Sequence, residues 1–514
     1  MKAEEKIFTH NEVVKKVDML QQEGKTVVMS LGVFDIIHPG IIQHLTEAKK
    51  MGDILIVAVI RDRDVKRGPG RPVFNDELRR QNVAALDAVD IACIVDNDMP
   101  FECVKRIKPD IFAKGQTYHK RDQKIHEDIF KQERELYLGK AQIRETNGFS
   151  FSSSSIINDF LDIYPEDTKK FIQRFSEKYS FDTIFDMIND LKNLNILLIG
   201  DGIIDEYHYV SPMGKSAKAH LVVSKYLSHE IFAGGAFAIA NHMANICNEV
   251  HFVTLLGLED TREEFILNNL KPNIKSKFFY RNDGPSIIKK RYVDQYMNQK
   301  LFEINYMNDQ YIDGECEPEI ISYLSQEIGK FDLVLVSDYG HGFVTKKIID
   351  TIQKYANVVA VNTQTNSGNM GFNMITRYKN PGIVCLDESE ARLTMQNRFD
   401  DIGRVAQQLH EVLGTQTLIV TLGKKGSVGI SRDGVAHYTP IFSSKIVDTV
   451  GAGDAVFSYV APCFAKGYPL DFITFIGNAV GALAVQIVCN KRSVERYDLF
   501  EFLNAMFKQK PQST

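Results

Sequence analysis

Short apolar blocks alternate with helix-length amphipathic stretches along most of this chain. TVVMSLG (26–32) and DILIVAV (53–59) read as buried strands, and residues 40–51 between them read as a crossover helix. Further strands are expected near 91–95, 110–113 and 141–145. A second series opens at LNILLIGD (194–201) and runs through HFVTLLG (251–257), FDLVLVSD (331–338), NVVAVN (357–362), GIVCLD (382–387) and TLIVTLG (417–423). Near-continuous apolar strands separated by helices are what a parallel sheet covered on both faces requires. Residues 159–192 between the two series are charged and helical in pattern. The stretch SIIKKRYVDQYMNQKLFEIN (286–305) alternates with a two-residue period instead, as a half-exposed sheet would. No tandem repeat is visible. The pattern predicts two α/β domains with a boundary near 160–190.

Composition narrows the class. The 514 residues are 44% apolar and 25% charged with a formal charge of −5, which argues against a nucleic-acid partner. Seven cysteines, odd in number and without a CxxC pair, fit buried thiols in a reducing compartment. The N-terminal MKAEEKIFTHNEVV has no apolar core of an export signal. Phe472 to Cys489 is an uncharged run, but Thr474, Asn478 and Gln486 interrupt it, so a buried helix is expected rather than a membrane span. A cytoplasmic protein with no membrane partner is the expectation.

The first candidate site is SLGVFDIIHPGIIQHL (30–45). Gly32 to Asp35 follow a strand and His38-Pro39-Gly40 open the next helix. A glycine at such a turn lets backbone N–H groups approach a phosphate, and a helix N-terminus carries about half a positive charge. A plain strand–turn–helix corner would give the same local pattern. The stretch resembles the cytidylyltransferase-like family, whose motif is GxFDxxHxGH. Matches continue at Lys49, RDRDVKRGPGRPV (61–73), Arg79, KPDIFAKG (108–115) and FSSSSII (151–157), so the resemblance covers roughly 25–160. It implies a Rossmann-like nucleotidylyltransferase domain over 1–160. There Gly32, Phe34, Lys49, Lys114, Ser152 and Ser153 would hold nucleotide and phosphate, and His38 would stabilise the transferring group. The chain departs from the family at Ile41, where a second histidine is usual. Losing one such donor typically costs on the order of 10²–10³ in rate. His44, one turn further on, is the nearest substitute in sequence.

The second candidate site is DTVGAGDAV (448–456), after the strand-like FSSKIV and before an apolar helix. Gly451, Ala452 and Gly453 would present backbone N–H groups at a helix start, and Asp454 could accept the proton of an attacking hydroxyl. This segment resembles the ribokinase-like sugar kinases, in which DTxGAGD is the anion hole and catalytic base. The resemblance runs from about 194 to 505 through GDGIIDEY (200–207), AGGAFAIAN (233–241), SDYGHG (337–342), DESE (387–390) and VTLGKKGSVG (420–429). It implies that Asp205, Gly234 and Gly235 contact the sugar, that Glu390 orders the Mg²⁺–phosphate network, and that Gly423 and Gly426 line the nucleotide site. Residues 286–305 would form a small lid sheet that closes over the sugar and dimerises. Lys289 and Arg291 share one face there and could meet a sugar phosphate or be solvated edge charges. Taken singly, Asp205 could cap a turn, Gly234-Gly235 could be an ordinary turn, and Glu390 a solvated helix residue.

Within these kinases the chain looks most like the heptose-phosphate branch, where a ribokinase-like domain is fused to a cytidylyltransferase-like one. Here the order is reversed. Ala238 replaces an asparagine of that branch, Asn362-Thr363-Gln364 replaces Asp-Pro-Lys, and His341 replaces a lysine. The resulting expectation is an α/β protein with a cytidylyltransferase-like domain (1–160), a helical linker (161–192) and a ribokinase-like kinase with a β lid (193–514). The kinase would use Mg²⁺ and ATP on a sugar or sugar phosphate, and the N-terminal site would use CTP or ATP on a sugar 1-phosphate. An activated sugar for a surface glycan would result, and a homodimer through the lid is implied. Two other readings stand beside it: a sugar kinase with an impaired N-terminal nucleotide-binding module, and a non-catalytic sensor of nucleotide or sugar phosphate.

Overall fold

The computed structural model describes residues 2–65, 68, 70–95, 100–115, 141–146, 157, 163–312, 314, 316–443 and 446–507. The chain packs into two compact units, Met1–Phe185 with Phe500–Thr514, and Asp186–Leu499.

In the first unit, β1 (Val27–Gly32), β2 (Ile54–Ile60), β3 (Ile91–Val95), β4 (Ile111–Gly115) and β5 (Gln142–Thr146) form a parallel sheet in the order β3-β2-β1-β4-β5. Alternation along β1 sends Val27 and Met29 to one core and Val28 to the other, so helices cover both faces. The chain leaves β1 toward β2 on one side and reaches β4 on the other. A sheet that reverses direction in this way opens a crevice beyond the C-terminal ends of β1 and β4. The segment read as a linker holds the helices Glu166–Lys178 and Phe181–Asp190. Phe175 meets Phe507, and Phe181 and Phe185 meet Phe500, so the last helix closes onto this unit.

The second unit contains β6 (Ile196–Gly200), β7 (Gly202–Lys215), β8 (Val222–Gly235), β9 (Val250–Gly257), β10 (Ile274–Arg281), β11 (Ile288–Asp294) and β12 (Gln299–Tyr306). It continues with β13 (Leu333–Asp338), β14 (Val359–Thr363), β15 (Ile383–Asp387), β16 (Thr417–Thr421), β17 (Ser427–Ile430) and β18 (Ala436–Thr439). Nine of these strands make one sheet, β10-β9-β6-β13-β14-β15-β16-β17-β18, parallel up to β16 and antiparallel beyond it. The other four, β12-β11-β7-β8, make a separate sheet. Here β7 and β8 form a long antiparallel pair, and β11 runs parallel to β7.

Two local expectations turn out differently. FSSKIV is not a strand at its described residues 442, 443, 446 and 447. Pro440 lacks the N–H needed to extend β18, and Phe442 instead packs on Phe475 with ring centroids 5.2 Å apart. The uncharged run after Phe472 belongs to a buried helix, Leu470–Ala484, and no described helix is long and apolar enough to cross a membrane.

Candidate active sites

In the second unit the strand ends and the lid sheet enclose a cleft of about 870 Å³. At its floor starts the helix Ala452–Ala465, preceded by Gly451 with φ 81°. That backbone favours glycine, and a Cβ there would also overlap the side chain of Asn490. Nothing stands within 4 Å of where a Cβ on Gly453 would lie, so the first helical turn faces open space. The N–H groups of such a turn have no intrahelical acceptors and suit an anion, although the Ala452 N–H also reaches the Thr449 carbonyl at 3.3 Å.

Asp454 lies in this turn and is buried. The Tyr339 hydroxyl donates to its Oδ1 at 2.6 Å. Burial pushes the Asp454 carboxyl up to about 6, with the Tyr339 hydrogen bond and Lys289 opposing and the Asp205 charge adding to it. A carboxylate tuned so close to neutrality can take a proton from a hydroxyl and release it again.

The lid presents a charged row to the same cleft. Asp205 on β7 is in register with Lys289 on β11, and Tyr207 with Arg291. Arg291 forms an ion pair with Asp205 and a second with Glu303 at 2.7 Å. The Cys489 thiol donates to the other Asp205 oxygen at 3.8 Å. Lys289 is buried and has neither hydrogen bond nor ion pair among the described residues. Burial lowers its pKa, and the nearby Asp205 charge works against that. A desolvated ammonium without a partner is costly unless a ligand supplies the anion. Gly234 and Gly235 end β8 beside this row, and a Cβ on Gly234 would overlap the Asp205 carboxylate.

Gly423, Gly426 and Glu390 line the same cleft. Gly423 and Gly426 take φ 55° and 96°, and a Cβ on Gly426 would overlap the Thr439 carbonyl. Glu390 accepts from the backbone N–H groups of Thr365 (3.1 Å) and Asp387 (2.9 Å) and has no cationic partner among the described residues. Burial, and then the Asp387 charge, push its carboxyl up to about 7. A buried carboxylate in that condition fits a cation, and Mg²⁺ prefers such oxygen ligands together with phosphates and water.

Tyr339 and Asn362 line the cleft, and Asp201 and His341 stand close behind it, although no role was given to them from sequence. Asp201 Oδ2 accepts from Tyr339 N at 2.9 Å, and burial plus the Asp338 charge raise its pKa to about 7. Asn362 Nδ2 donates to the Cys385 carbonyl at 2.8 Å, and its buried Oδ1 has no partner among the described residues at the cleft wall. His341 is buried with no partner for its Nε2 among the described residues; burial and Lys289 lower its pKa to about 3, so it is neutral. Asp201, Tyr339 and His341 stand inside the quoted motifs GDGIIDEY and SDYGHG, which was the available signal.

In the first unit, Gly32 ends β1 and Lys114 lies near the end of β4, both at the crevice of the switch point. His38 stands at the N-cap position of the helix Pro39–Lys49, and its buried Nδ1 has no hydrogen-bond partner among the described residues. Burial lowers its pKa, so the ring is neutral and can donate from one nitrogen. Phe34 takes φ 50° and folds its ring back to within 3.1 Å of where a Cβ on Gly32 would lie. The loop is held from behind. Asp35 accepts from the N–H groups of Val73 and Phe74, and the fully buried Arg79 donates to the carbonyls of Val33, Ile60 and Phe74 and to Asp62.

Lys49 is not brought to this crevice. It sits at the far end of its helix, donating to Asp90 at 2.6 Å and to the Asp53 carbonyl, where the next strand begins. Eleven residues of helix separate the two ends by roughly 15 Å. His44 does not substitute for the absent histidine either. Its ring bonds Ser30 Oγ (2.7 Å) and Thr146 Oγ1 (2.6 Å), and Ile41 packs into the core cluster of Phe34 and Leu45. Ser152 and Ser153 lie outside the described residues.

Comparison with known proteins accords with this layout. Residues 196–488 match the pfkB family carbohydrate kinases, and residues 29–159 match the cytidylyltransferase-like family. The bifunctional protein HldE of Nitratiruptor sp. is 40% identical over 310 residues, spanning 60% of this chain and 64% of that protein. An FAD synthase of Ferroglobus placidus is 35% identical over 147 residues, 29% of this chain and 95% of that protein. Phosphofructokinase-2 from Escherichia coli, solved with substrates and products, shares the fold with a TM-score of 0.50 at 12% identity, covering 61% of this chain and all 100% of that one. The chain spans less than two thirds of the length of the HldE relatives it matches. Its cytidylyltransferase-like segment comes first, the reverse of the order in those bifunctional relatives.

Proposed function

This chain belongs to the pfkB family of carbohydrate kinases, and we propose that it is a bifunctional transferase. The C-terminal part, 193–514, phosphorylates a sugar or sugar phosphate with MgATP. The N-terminal part, 1–160, transfers a nucleotidyl group from ATP or CTP to a sugar 1-phosphate and releases pyrophosphate, with 161–192 as the helical link. The activated sugar would serve surface glycan synthesis in the cytoplasm.

One observation carries the kinase reading. A buried carboxylate tuned toward neutrality, Asp454, stands in a glycine-led helical turn at the base of a cleft whose other wall is Asp205, Lys289 and Arg291. Asp205 and Arg291 would orient the sugar, and Asp454 would take the proton of its attacking hydroxyl. The amides of Gly451, Ala452 and Gly453 would meet the phosphoryl oxygens. Glu390 would help hold Mg²⁺, which supplies charge neutralisation for the phosphates.

The lid also supports a homodimer. Its outer face carries a row of rings, His229, His208, Tyr292 and Phe302, stacked from β8 across to β12 at centroid spacings of 5.4, 5.2 and 4.5 Å. Phe302, Ile304 and Tyr306 are exposed on the edge strand β12, where a second copy would cover them.

A second reading is favoured by Ile41. Its side chain belongs to the core and its position offers no donor, so the N-terminal domain would be a nucleotide-binding module of low activity. Phosphorus NMR with Mg²⁺, ATP, CTP and a panel of sugars and sugar phosphates separates the readings, with Asp454→Ala and His38→Ala run alongside. ADP lost in the first variant and pyrophosphate lost in the second is the expected outcome. ADP without pyrophosphate, even with sugar 1-phosphates supplied, supports the second reading. Neither product from the whole panel rejects both.

A further inference from the structure

The lid and the anion-hole loop share one carboxylate. Asp448 opens the DTVGAGD segment, and the four hydrogen bonds its carboxylate accepts come from two different parts of the unit. Its Oδ1 accepts from Val450 N at 3.1 Å and from Lys300 Nζ at 2.9 Å. Its Oδ2 accepts from the Tyr207 hydroxyl at 3.0 Å and from Cys489 N at 3.1 Å. Val450 and Cys489 belong to the body, whereas Tyr207 lies on β7 and Lys300 on β12 of the lid.

Packing reinforces the junction. Tyr207, Phe232 and Val293 of the lid cluster with Cys489, Val450 and Val488 of the body. The Lys300 ammonium also stands 5.4 Å from the centroid of the Tyr207 ring. Against the upward push of burial, Lys300 and the N–H groups of Val450 and Cys489 hold the Asp448 carboxyl below its ordinary range. One of the strands that supply these lid donors, β7, also carries Asp205, and the other, β12, pairs with β11, which carries Lys289 and Arg291. Tyr207 is two residues beyond Asp205, and Arg291 pairs across the sheet with Glu303 on β12. Val450, in turn, immediately precedes Gly451, whose φ of 81° sets the start of the helix that bears Asp454. Any movement of the lid strands therefore acts directly on the loop whose amides face the cleft.

We infer that Lys300 and Tyr207 are positioning residues for phosphoryl transfer: through Asp448 they hold the Gly451–Gly453 turn in its anion-binding form when the lid lies over the sugar. This rests on the kinase reading and deepens it. The energetic logic is that a carboxylate held by two backbone amides alone keeps spare acceptor capacity and can rotate. Two further charged or hydroxyl donors fix both of its oxygens. A displacement of about 1 Å in groups that contact reacting atoms can cost roughly 10²-fold in rate. Completing the anion hole only under a closed lid would also restrict transfer to moments when a sugar is bound.

The test uses the full chain with Lys300→Ala, Tyr207→Phe, the double variant and Lys300→Arg. Steady-state kinetics is combined with amide hydrogen exchange over residues 446–455. Lys300→Ala is expected to lower kcat about tenfold or more. Its KM for ATP should stay within about twofold, because neither Lys300 nor Asp448 lines the cleft beside Gly423, Gly426 and Glu390. Exchange in 446–455 should quicken, Lys300→Arg should recover most of the loss, and Tyr207→Phe should add little once Lys300 is gone. A rise confined to the KM for sugar, with kcat and exchange unchanged, overturns the inference and leaves both residues as lid contacts. Should the wild type phosphorylate no sugar, the kinase reading fails on its own. The exchange arm then still decides the latch, since unchanged exchange in Lys300→Ala rejects it and faster exchange keeps it.

Discussion

The Tyr339 hydroxyl donates to Asp454 Oδ1 at 2.6 Å, and both groups are buried. The bond leaves Oδ2 of the carboxylate as the oxygen free to face a substrate hydroxyl. Tyr339 is itself held from behind, its N–H donating to Asp201 and its carbonyl accepting from Asn366 and Asn369. The Asp454 carboxylate is thus oriented by Tyr339 on β13's exit loop rather than by its own helix alone.

Removing that hydroxyl has a defined sign. The Tyr339 bond lowers the Asp454 pKa against the larger upward effect of burial. In Tyr339→Phe the carboxyl should therefore titrate higher than in the wild type. The acid limb of the kcat profile is expected to move to higher pH, and kcat near pH 7 to fall about tenfold. An unmoved limb would mean that the bond is broken in the reactive complex.

Stability should run opposite to activity. Asp201 and Asp454 are raised from 3.8 to about 7 and about 6, and Glu390 from 4.5 to about 7. At these three sites the native state binds more protons than the unfolded chain between pH 4 and 7, so their contribution falls as pH rises. The buried His44, His242 and His341, lowered to about 4, 3 and 3, act in the opposite sense up to about pH 6.5. The stability gained by Asp454→Asn over the wild type, both ligand-free, is therefore expected to grow from pH 5 to pH 8. Asp454→Asn removes one of these groups and should raise Tm at pH 8 while lowering kcat by about 10³. Calorimetry at the two pH values checks the first half, and a kinase assay the second.

Much of the frame is legible from residue pattern because buried parallel strands must be apolar on both faces. Ile196–Gly200, Leu333–Asp338 and Thr417–Thr421 are buried nearly throughout and were visible as blocks. The paired strands Gly202–Lys215 and Val222–Gly235 were not. Their outer halves cover no core, so they carry mixed polarity and lack the alternation of a half-buried strand. The same limit applies at the site. Glycine spacing around Asp454 is local and readable, whereas Tyr339 lies 115 positions from Asp454 and Lys300 lies 148 from Asp448. Contacts at such separations leave no spacing to read. Lys49 shows the converse error, since a motif match placed near phosphate a lysine whose helix points it the other way.

Lys49→Met isolates that error. The ammonium bridges Asp90 and the Asp53 carbonyl, and Asp90 also accepts from Leu55 N at 2.7 Å. Half-exposed ion pairs of this kind contribute about 1 kcal/mol or less. The variant is expected to lower the Tm of the first unit slightly and to leave the KM for nucleotide unchanged. A severalfold rise in that KM would return Lys49 to the phosphate site.

Ile41→His tests whether the N-terminal chemistry lacks only one donor. His38 is in place at the helix start with a buried Nδ1 that has no partner among the described residues, and Asp35 and Arg79 brace the loop around it. Ile41 packs with Phe34 and Leu45, so a histidine there trades apolar contact for a donor one turn into the same helix. The loss of packing should cost about 1–2 kcal/mol of stability in this unit. Pyrophosphate release is expected to rise by about 10², the usual worth of one such donor. Melting followed by a coupled pyrophosphate assay reads both effects on the same protein. A variant that melts lower yet releases no more pyrophosphate would show that the crevice is a binding module, with its chemistry lost at more than Ile41.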